Sequence, residues 1–345
     1  MNTCRTILVV LILLATSLSG ASDEKGEIFV AELERPDSFD LSLEGADYYF
    51  WLTQENGRVV INKQFVPVEK DCDHNVLAVW DENGEKIFER APIYDITDMS
   101  GGRIFATTLA GTNRLFLSTV VRTDTYSGIL AEYDIEKLAV VHRFSIDPIR
   151  CRRLRADDEG TIWCLGVDLE KRREDLDYDL VYRFDDSGVI LKSSLPRSTY
   201  AENPKSLANL ACCREDYFLN GGDHMHLWLS GPNELIRFEP DGILKDRLVL
   251  PTLEGQVGEL LAMAPDGSVF AMLITATNAK DHDTWTQALY RLAPDGGSWI
   301  PLQDPPVQLP MRIELKAADE RGLILLDRES LQLLWYPYDK FVASN

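Results

Sequence analysis

Nowhere does the sequence hold a 3.6-residue apolar period over a dozen positions, which removes amphipathic helices and leaves an all-β chain. A Gly-x-Ser-x-Gly elbow and a phosphate-binding P-loop are both missing, so neither a serine α/β-hydrolase nor a P-loop nucleotide enzyme is expected. Basic residues are outnumbered: 35 Lys and Arg stand against 56 Asp and Glu, for a formal charge of −21 over 345 residues. A field of that sign repels phosphate backbones and anionic headgroups, so nucleic acid is excluded as a partner. The 6 cysteines follow neither a zinc-ribbon spacing nor a Cys-x-x-Cys redox pattern. Long apolar runs are also lacking, apart from Ile7 to Ala15, which is too short to cross a bilayer comfortably.

That run follows Arg5 and precedes the small residues Ser19-Gly20-Ala21, the pattern of a secretory signal cleaved before Ser22. Residues 1–21 are therefore expected to be removed, with an uncleaved anchor as the alternative, and residues 22–345 to form one exported domain, periplasmic or extracellular, without stable membrane insertion. Five cysteines then remain, Cys72, Cys151, Cys164, Cys212 and Cys213. An odd count leaves at least one thiol unpaired unless it pairs between chains; Cys164 with Cys212 or Cys213 is one link that could cross between neighbouring blades, and the sequence leaves the connectivity open. Burial as small apolar residues is the default for the others.

What the sequence has is a repeat. Val181-Tyr182-Arg183-Phe184-Asp185-Asp186-Ser187-Gly188 returns as Leu235-Ile236-Arg237-Phe238-Glu239-Pro240-Asp241-Gly242, and again as Leu289-Tyr290-Arg291-Leu292-Ala293-Pro294-Asp295-Gly296, with the glycines 54 residues apart. Two periods upstream, Leu77-Ala78-Val79-Trp80 precedes Asn83-Gly84, and Tyr133-Asp134-Ile135-Glu136-Lys137 is a degenerate copy between. A period near fifty built of short apolar alternations and Asp-Gly or Asn-Gly turns means propeller blades. Repeats beginning near Asp47, Gly102, Arg150, Leu207, Glu259 and Met311 predict six four-stranded blades, with five or seven as the alternatives. The last repeat is one strand short, and the unused strand Glu27 to Leu33 is expected to close it, because an open ring leaves an unpaired sheet edge.

In such a meander, turns after first and third strands share one rim, here the lower; loops after second and fourth strands share the upper. All the Asp-Gly turns fall on the lower rim and are read as positive-φ turn residues, not calcium ligands. The upper rim carries the long loops 66–75, 168–179 and 275–284, and varying loops on a rigid scaffold are where binding resides. Asp71, Asp73 and His74 in the first, with Asp281, His282 and Asp283 in the third, are the candidate metal ligands, imidazole and carboxylate converging across the channel mouth on Ca2+ or Zn2+. His224 and His226 share a strand face nearer the lower rim and are read as local hydrogen-bonding residues. The charge run Glu170 to Asp177 is read as a solvated loop, and Arg150 to Arg155 as side chains that neutralise neighbouring carboxylates. Arg183, Arg237 and Arg291 are expected to form a repeated ion pair between blades, and Trp80, Tyr133, Phe184, Phe238 and Tyr336 to pack between blades.

The hairpins Asp157-Asp158-Glu159-Gly160-Thr161-Ile162-Trp163 and Ala264-Pro265-Asp266-Gly267-Ser268-Val269-Phe270, followed by arginine-bearing third strands, resemble the six-bladed propellers of the NHL-repeat and TolB-like superfamily. The resemblance spans nearly all of residues 22–345. It implies either an exported binding protein or a channel enzyme, since that superfamily includes calcium-dependent gluconolactonase-like hydrolases and lyases with a zinc site. Glu44-Gly45 matches the early glutamate of the lactonase pattern, but the Pro and Trp positions after it are unmatched. The expected function is therefore non-enzymatic binding of a protein, peptide or glycan by the upper rim, the alternative being a metal-dependent hydrolase or lyase at the channel mouth.

Overall fold

The computed structural model describes residues 50–55, 58–65, 74–81, 85–90, 103–122, 126–157, 160–171, 175–202, 217–219, 224–303, 305–330 and 332–340. Its strands form six antiparallel sheets arranged as propeller blades, each sheet a meander of consecutive strands. Blade 1 holds β1 (Phe50–Glu55), β2 (Arg58–Phe65), β3 (His74–Trp80) and β4 (Lys86–Arg90). Blade 2 holds β5 (Arg103–Ala110), β6 (Arg114–Arg122), β7 (Tyr126–Asp134) and β8 (Ala139–Ser145). Blade 3 holds β9 (Ile149–Ala156), β10 (Ile162–Asp168), β11 (Asp179–Phe184) and β12 (Ile190–Pro196). Blade 4 holds β13 (Tyr217–Leu219), β14 (Met225–Leu229), β15 (Glu234–Phe238) and β16 (Leu244–Val249). Blade 5 holds β17 (Gln256–Met263), β18 (Val269–Ala276), β19 (Trp285–Leu292) and β20 (Trp299–Pro301). Blade 6 holds β21 (Ile313–Ala318), β22 (Gly322–Asp327) and β23 (Gln332–Pro337), three strands among the described residues. The expected closing strand Glu27 to Leu33 lies outside the described residues.

The Asp-Gly turns do what their chemistry predicts. Asp185 Oδ1 accepts from the Ser187 and Val189 amides, both at 2.9 Å, while Gly188 takes φ +81°. Asp241 Oδ1 accepts from the Ile243 amide at 3.0 Å beside Gly242 at φ +88°. A side chain that satisfies the turn's own amides and a residue free of the Cβ clash together fix a tight reversal.

Six apolar clusters fill the spaces between consecutive blades, and the last joins blade 6 to blade 1. In it, Ile324, Leu326, Leu333 and Trp335 meet Val59, Ala78 and Trp80, so the ring is closed by packing. An apolar residue at or one before the end of each third strand faces the preceding blade. Trp80 packs on blade 6, Tyr133 on blade 1, Phe184 on blade 2, Phe238 on blade 3, Leu292 on blade 4 and Tyr336 on blade 5. The expected aromatic packing between blades holds at all five named positions, each 0–2% exposed.

First strands line the axis: β1 adjoins β5 and β21, β9 adjoins β5 and β13, and β17 adjoins β21. Several are bulged. The ladder slips by one residue at Phe105 in β5, Arg152 in β9, Val257 in β17 and Lys316 in β21. A bulge drops its residue out of the pairing register and re-aims the side chain.

The pairing that the sequence left open is Cys164 with Cys151, within the inner hairpin of blade 3, while Cys212 and Cys213 lie outside the described residues. The slip at Arg152 sets Cys151 diagonally across β9 and β10 from Cys164, with a Cα separation of 5.4 Å that is within a disulfide's reach. The recurring arginines do not form a repeated ion pair between blades. Arg237 pairs with Asp246 on the next strand of its own blade, but Lys192 and Ile300 stand at that cross-strand position opposite Arg183 and Arg291. Arg183 instead lies over the Trp163 ring at 5.0 Å, and Arg291 reaches Ser268 Oγ at 3.5 Å, both contacts inside one blade.

Candidate functional site

The upper mouth of the channel gathers the start of each first strand and the loops between second and third strands. On blade 3, the segment between β10 and β11 is held from both ends. The Glu170 amide donates to Asp168 Oδ1 at 2.9 Å, and Lys171 Nζ donates to Asp177 Oδ2 at 2.6 Å. That hydrogen bond raises the Lys171 pKa and lowers that of Asp177. Beside it, the 3-10 turn Arg197–Tyr200 leaves β12 with the Arg197 guanidinium over the Tyr178 ring at 5.4 Å. Burial pushes the Tyr178 hydroxyl pKa up.

Tyr200 anchors this turn to the next blade by donating to Glu234 Oε2 at 3.0 Å, while Arg247 donates to both oxygens of Glu234 at 2.6 Å. A buried carboxylate satisfied by a guanidinium and a phenol is rigid, so the turn is a fixed post beside the loop. Between post and loop lies an open depression lined by Lys171, Asp175, Leu176, Asp177 and Ser198. It carries one cation, bonded to Asp177, and a second carboxylate at Asp175, a surface suited to a polar partner.

On blade 5, Asp281 caps the 3-10 turn His282–Thr284 by accepting from the Asp283 amide at 3.2 Å. The His282 ring stacks on Trp285 with centroids 4.2 Å apart and planes 16° from parallel. Of the candidate metal ligands, this loop thus places Asp281, His282 and Asp283 together, with one carboxylate engaged in capping and the imidazole on an indole face. His74 opens β3, and Asp71 and Asp73 lie outside the described residues. Among the described residues no three His, Cys, Asp or Glu side chains form a group able to hold a metal ion.

The channel wall below carries further charge. Arg150 and Arg152 of β9 hold their guanidinium groups over the Phe105 ring of β5, at 5.3 and 5.7 Å. Across the ring on blade 6, Glu314 is engaged by Lys316 at 2.6 Å and Arg328 at 3.1 Å. On blade 5, Gln256 donates to Glu259 at 2.7 Å. Sequence reasoning singled out the arginines but not Phe105, whose bulge is invisible before the ladder is seen; arginine at alternate positions of an inner strand was the available signal.

His224 and His226 lie toward the lower rim. His224 is bracketed by Lys245 at 2.9 Å and Glu239 at 3.4 Å. His226 sits opposite Arg237 in the ladder, and burial, reinforced by the nearby Arg237 charge, lowers its pKa from 6.5 to about 4. A half-buried neutral ring on this strand is a packing residue.

No family model and no curated protein matches the sequence. Solved structures similar to this chain include a streptogramin B lyase, 14% identical over 87% of this chain and 95% of that one with a TM-score of 0.45. Virginiamycin B lyase from Staphylococcus aureus is 11% identical over 86% and 97%, with a TM-score of 0.46. A putative exported protein from Bacteroides fragilis is 9% identical over 90% and 77%, with a TM-score of 0.44. Likeness at this level concerns chain path and carries no chemistry; the six-bladed arrangement rests on the sheets themselves.

Proposed function

We propose that the chain is an exported, non-enzymatic propeller that binds a protein, peptide or glycan through its upper rim. The observation that carries this reading is the contrast between the rims. The lower turns spend their side chains on their own amides, as at Asp185, Asp241, Asp266 and Asp295. The upper rim caps its own amides too, at Asp168 and Asp281, but adds a depression bearing Lys171, Asp175 and Asp177 beside a fixed post, and a histidine–tryptophan stack on an exposed loop. Rigidly mounted polar and aromatic groups are what a recognition surface needs, since little entropy is lost on binding. Export is supported by the signal-like start and by the Cys151–Cys164 bond, a linkage that persists in oxidising compartments.

The test is site-specific photo-cross-linking in the producing cell. Probes at Leu176 and Asp283 on the upper rim should give discrete adducts, and probes at Asp186 and Pro265 on the lower rim should give none. Adducts confined to the lower rim, or absent from both, would overturn the reading.

A further inference from the structure

We propose that His282 and Trp285 form a stacking platform, at the upper rim of blade 5, for the pyranose ring of a neutral oligosaccharide. This rests on the rim reading and selects the glycan among the partners it allows.

The platform is built from the strand upward. Trp285 opens β19 opposite Ala276 of β18. Two residues further along the same strand, Gln287 donates to the carbonyls of Pro310 and Ile313 at 2.6 and 2.8 Å, which fixes the strand to the chain entering blade 6. The loop before it is tied to itself. Thr284 Oγ1 accepts from the Asn278 amide at 3.2 Å, and its hydroxyl proton is shared between the carbonyls of Asn278 and Asp281, 2.9 and 2.8 Å away. The Asp281 carboxylate caps the 3-10 turn His282–Thr284, and the imidazole lies along the indole at 4.2 Å. Trp285 is half-buried and His282 exposed, so the indole covers one face of the imidazole and the other face is open to solvent.

The chemistry of the platform favours a sugar. A pyranose ring has a face of C–H bonds and a rim of hydroxyls. Aromatic faces are electron-rich and attract polarised C–H groups, and a ring already held in place gives up little freedom when it is covered. The polar groups beside the stack match the hydroxyls. Lys280 and Asp283 stand on either side of His282 in the chain, both exposed, and neither of these side chains nor the imidazole has a hydrogen-bond partner among the described residues. An ammonium offers only donors and an ionised carboxylate only acceptors, whereas a hydroxyl does both and serves either. A peptide anchor needs instead a pocket that buries an apolar side chain. This loop offers none, since from Thr277 to Thr284 its single apolar residue is Ala279.

Cellopentaose, maltopentaose, mannopentaose and chitopentaose serve as probes, titrated into the full-length protein labelled with fluorotryptophan and followed by fluorine NMR. At least one probe should shift the Trp285 resonance, assigned by its loss in Trp285→Phe, and leave in place that of Trp163, which is 1% exposed in the core. Trp285→Ala should weaken binding about tenfold, and His282→Ala about threefold or more, the scale of a lost aromatic contact. Asp186→Ala, on the lower rim, should leave binding unchanged. Because the His282 side chain is exposed and makes no hydrogen bond, His282→Ala decides the matter where Trp285→Ala fails to fold. A shift with none of the probes, binding that survives either aromatic substitution, or shifts spread equally to Trp163 would overturn the platform. Such a result leaves the rim reading standing when cross-linking at Leu176 and Asp283 still gives adducts, and their absence overturns both.

Discussion

At Gly188 a single methyl group would meet the Phe144 side chain at 2.5 Å, on a backbone held at φ +81°. Gly267 shares the conformation, at φ +84°, but has nothing within 4 Å of the added carbon. The pair separates two costs that usually come together. Gly267→Ala should lose about 1 kcal/mol, the price of a left-handed L-residue. Gly188→Ala should lose about 2–4 kcal/mol, because the turn also presses on the outer strand of blade 2. Urea unfolding of both variants checks this, and equal losses would mean the clash is absorbed by movement of the turn. His226 makes the second residue-scale prediction. Its folded-state pKa of about 4 lies below the usual 6.5, chiefly through burial, so the unfolded chain takes up a proton that the fold refuses. Its contribution is therefore fully present above pH 6.5 and is lost as pH falls toward 4, by as much as about 3 kcal/mol. His226→Gln should flatten the stability profile in that window, while leaving the part due to carboxylates elsewhere.

Within the elements, the apolar residue at or one before the end of each third strand sets how one blade seats on the one before. Trp80 does so across the joint between the last and first blades, 2% exposed among Ile324, Leu326, Leu333 and Trp335. Trp80→Ala should cost about 3–5 kcal/mol, as large-to-small changes in a sealed core do. If the joint were loosely held, the melting curve would scarcely move. The Cys151–Cys164 bond joins residues 13 apart in sequence, and Cys164→Ser should lower stability by about 3 kcal/mol relative to the unsubstituted oxidised protein by freeing the unfolded hairpin, a difference that should vanish when both proteins are unfolded under reducing conditions. These two elements also show what a sequence discloses. Trp80, Tyr133, Phe184, Phe238 and Tyr336 were legible because a fixed spacing from each turn places them on one face. The disulfide, the arginine stack on Phe105 and the capped loop at His282 were not. Each depends on a one-residue ladder slip or a local turn, and an alternating pattern of apolar residues reads the same with or without it. The ion-pair reading of Arg183, Arg237 and Arg291 failed for a related reason: repetition of one partner says nothing about the residue opposite.

For the whole molecule, the question is what holds a ring whose last sheet has three described strands. Packing joins blade 6 to blade 1, but packing does not satisfy the outer backbone edge of β23, whose residues Gln332–Pro337 are largely apolar. Among the described residues no strand follows β23 in its sheet, and an apolar sheet edge is a template for a further strand. Glu27 to Leu33 has the alternation and length to supply it within the same chain. A protein beginning at Asp37 should then melt about 3 °C lower or more, since losing about 2 kcal/mol shifts a domain of roughly 300 residues by about that much. It should also self-associate through β23, and Leu334→Lys in the shortened chain should suppress that association without restoring the melting temperature. Equal melting temperatures and a monomeric shortened chain would show instead that the joint between Trp80 and Trp335 suffices to close the ring.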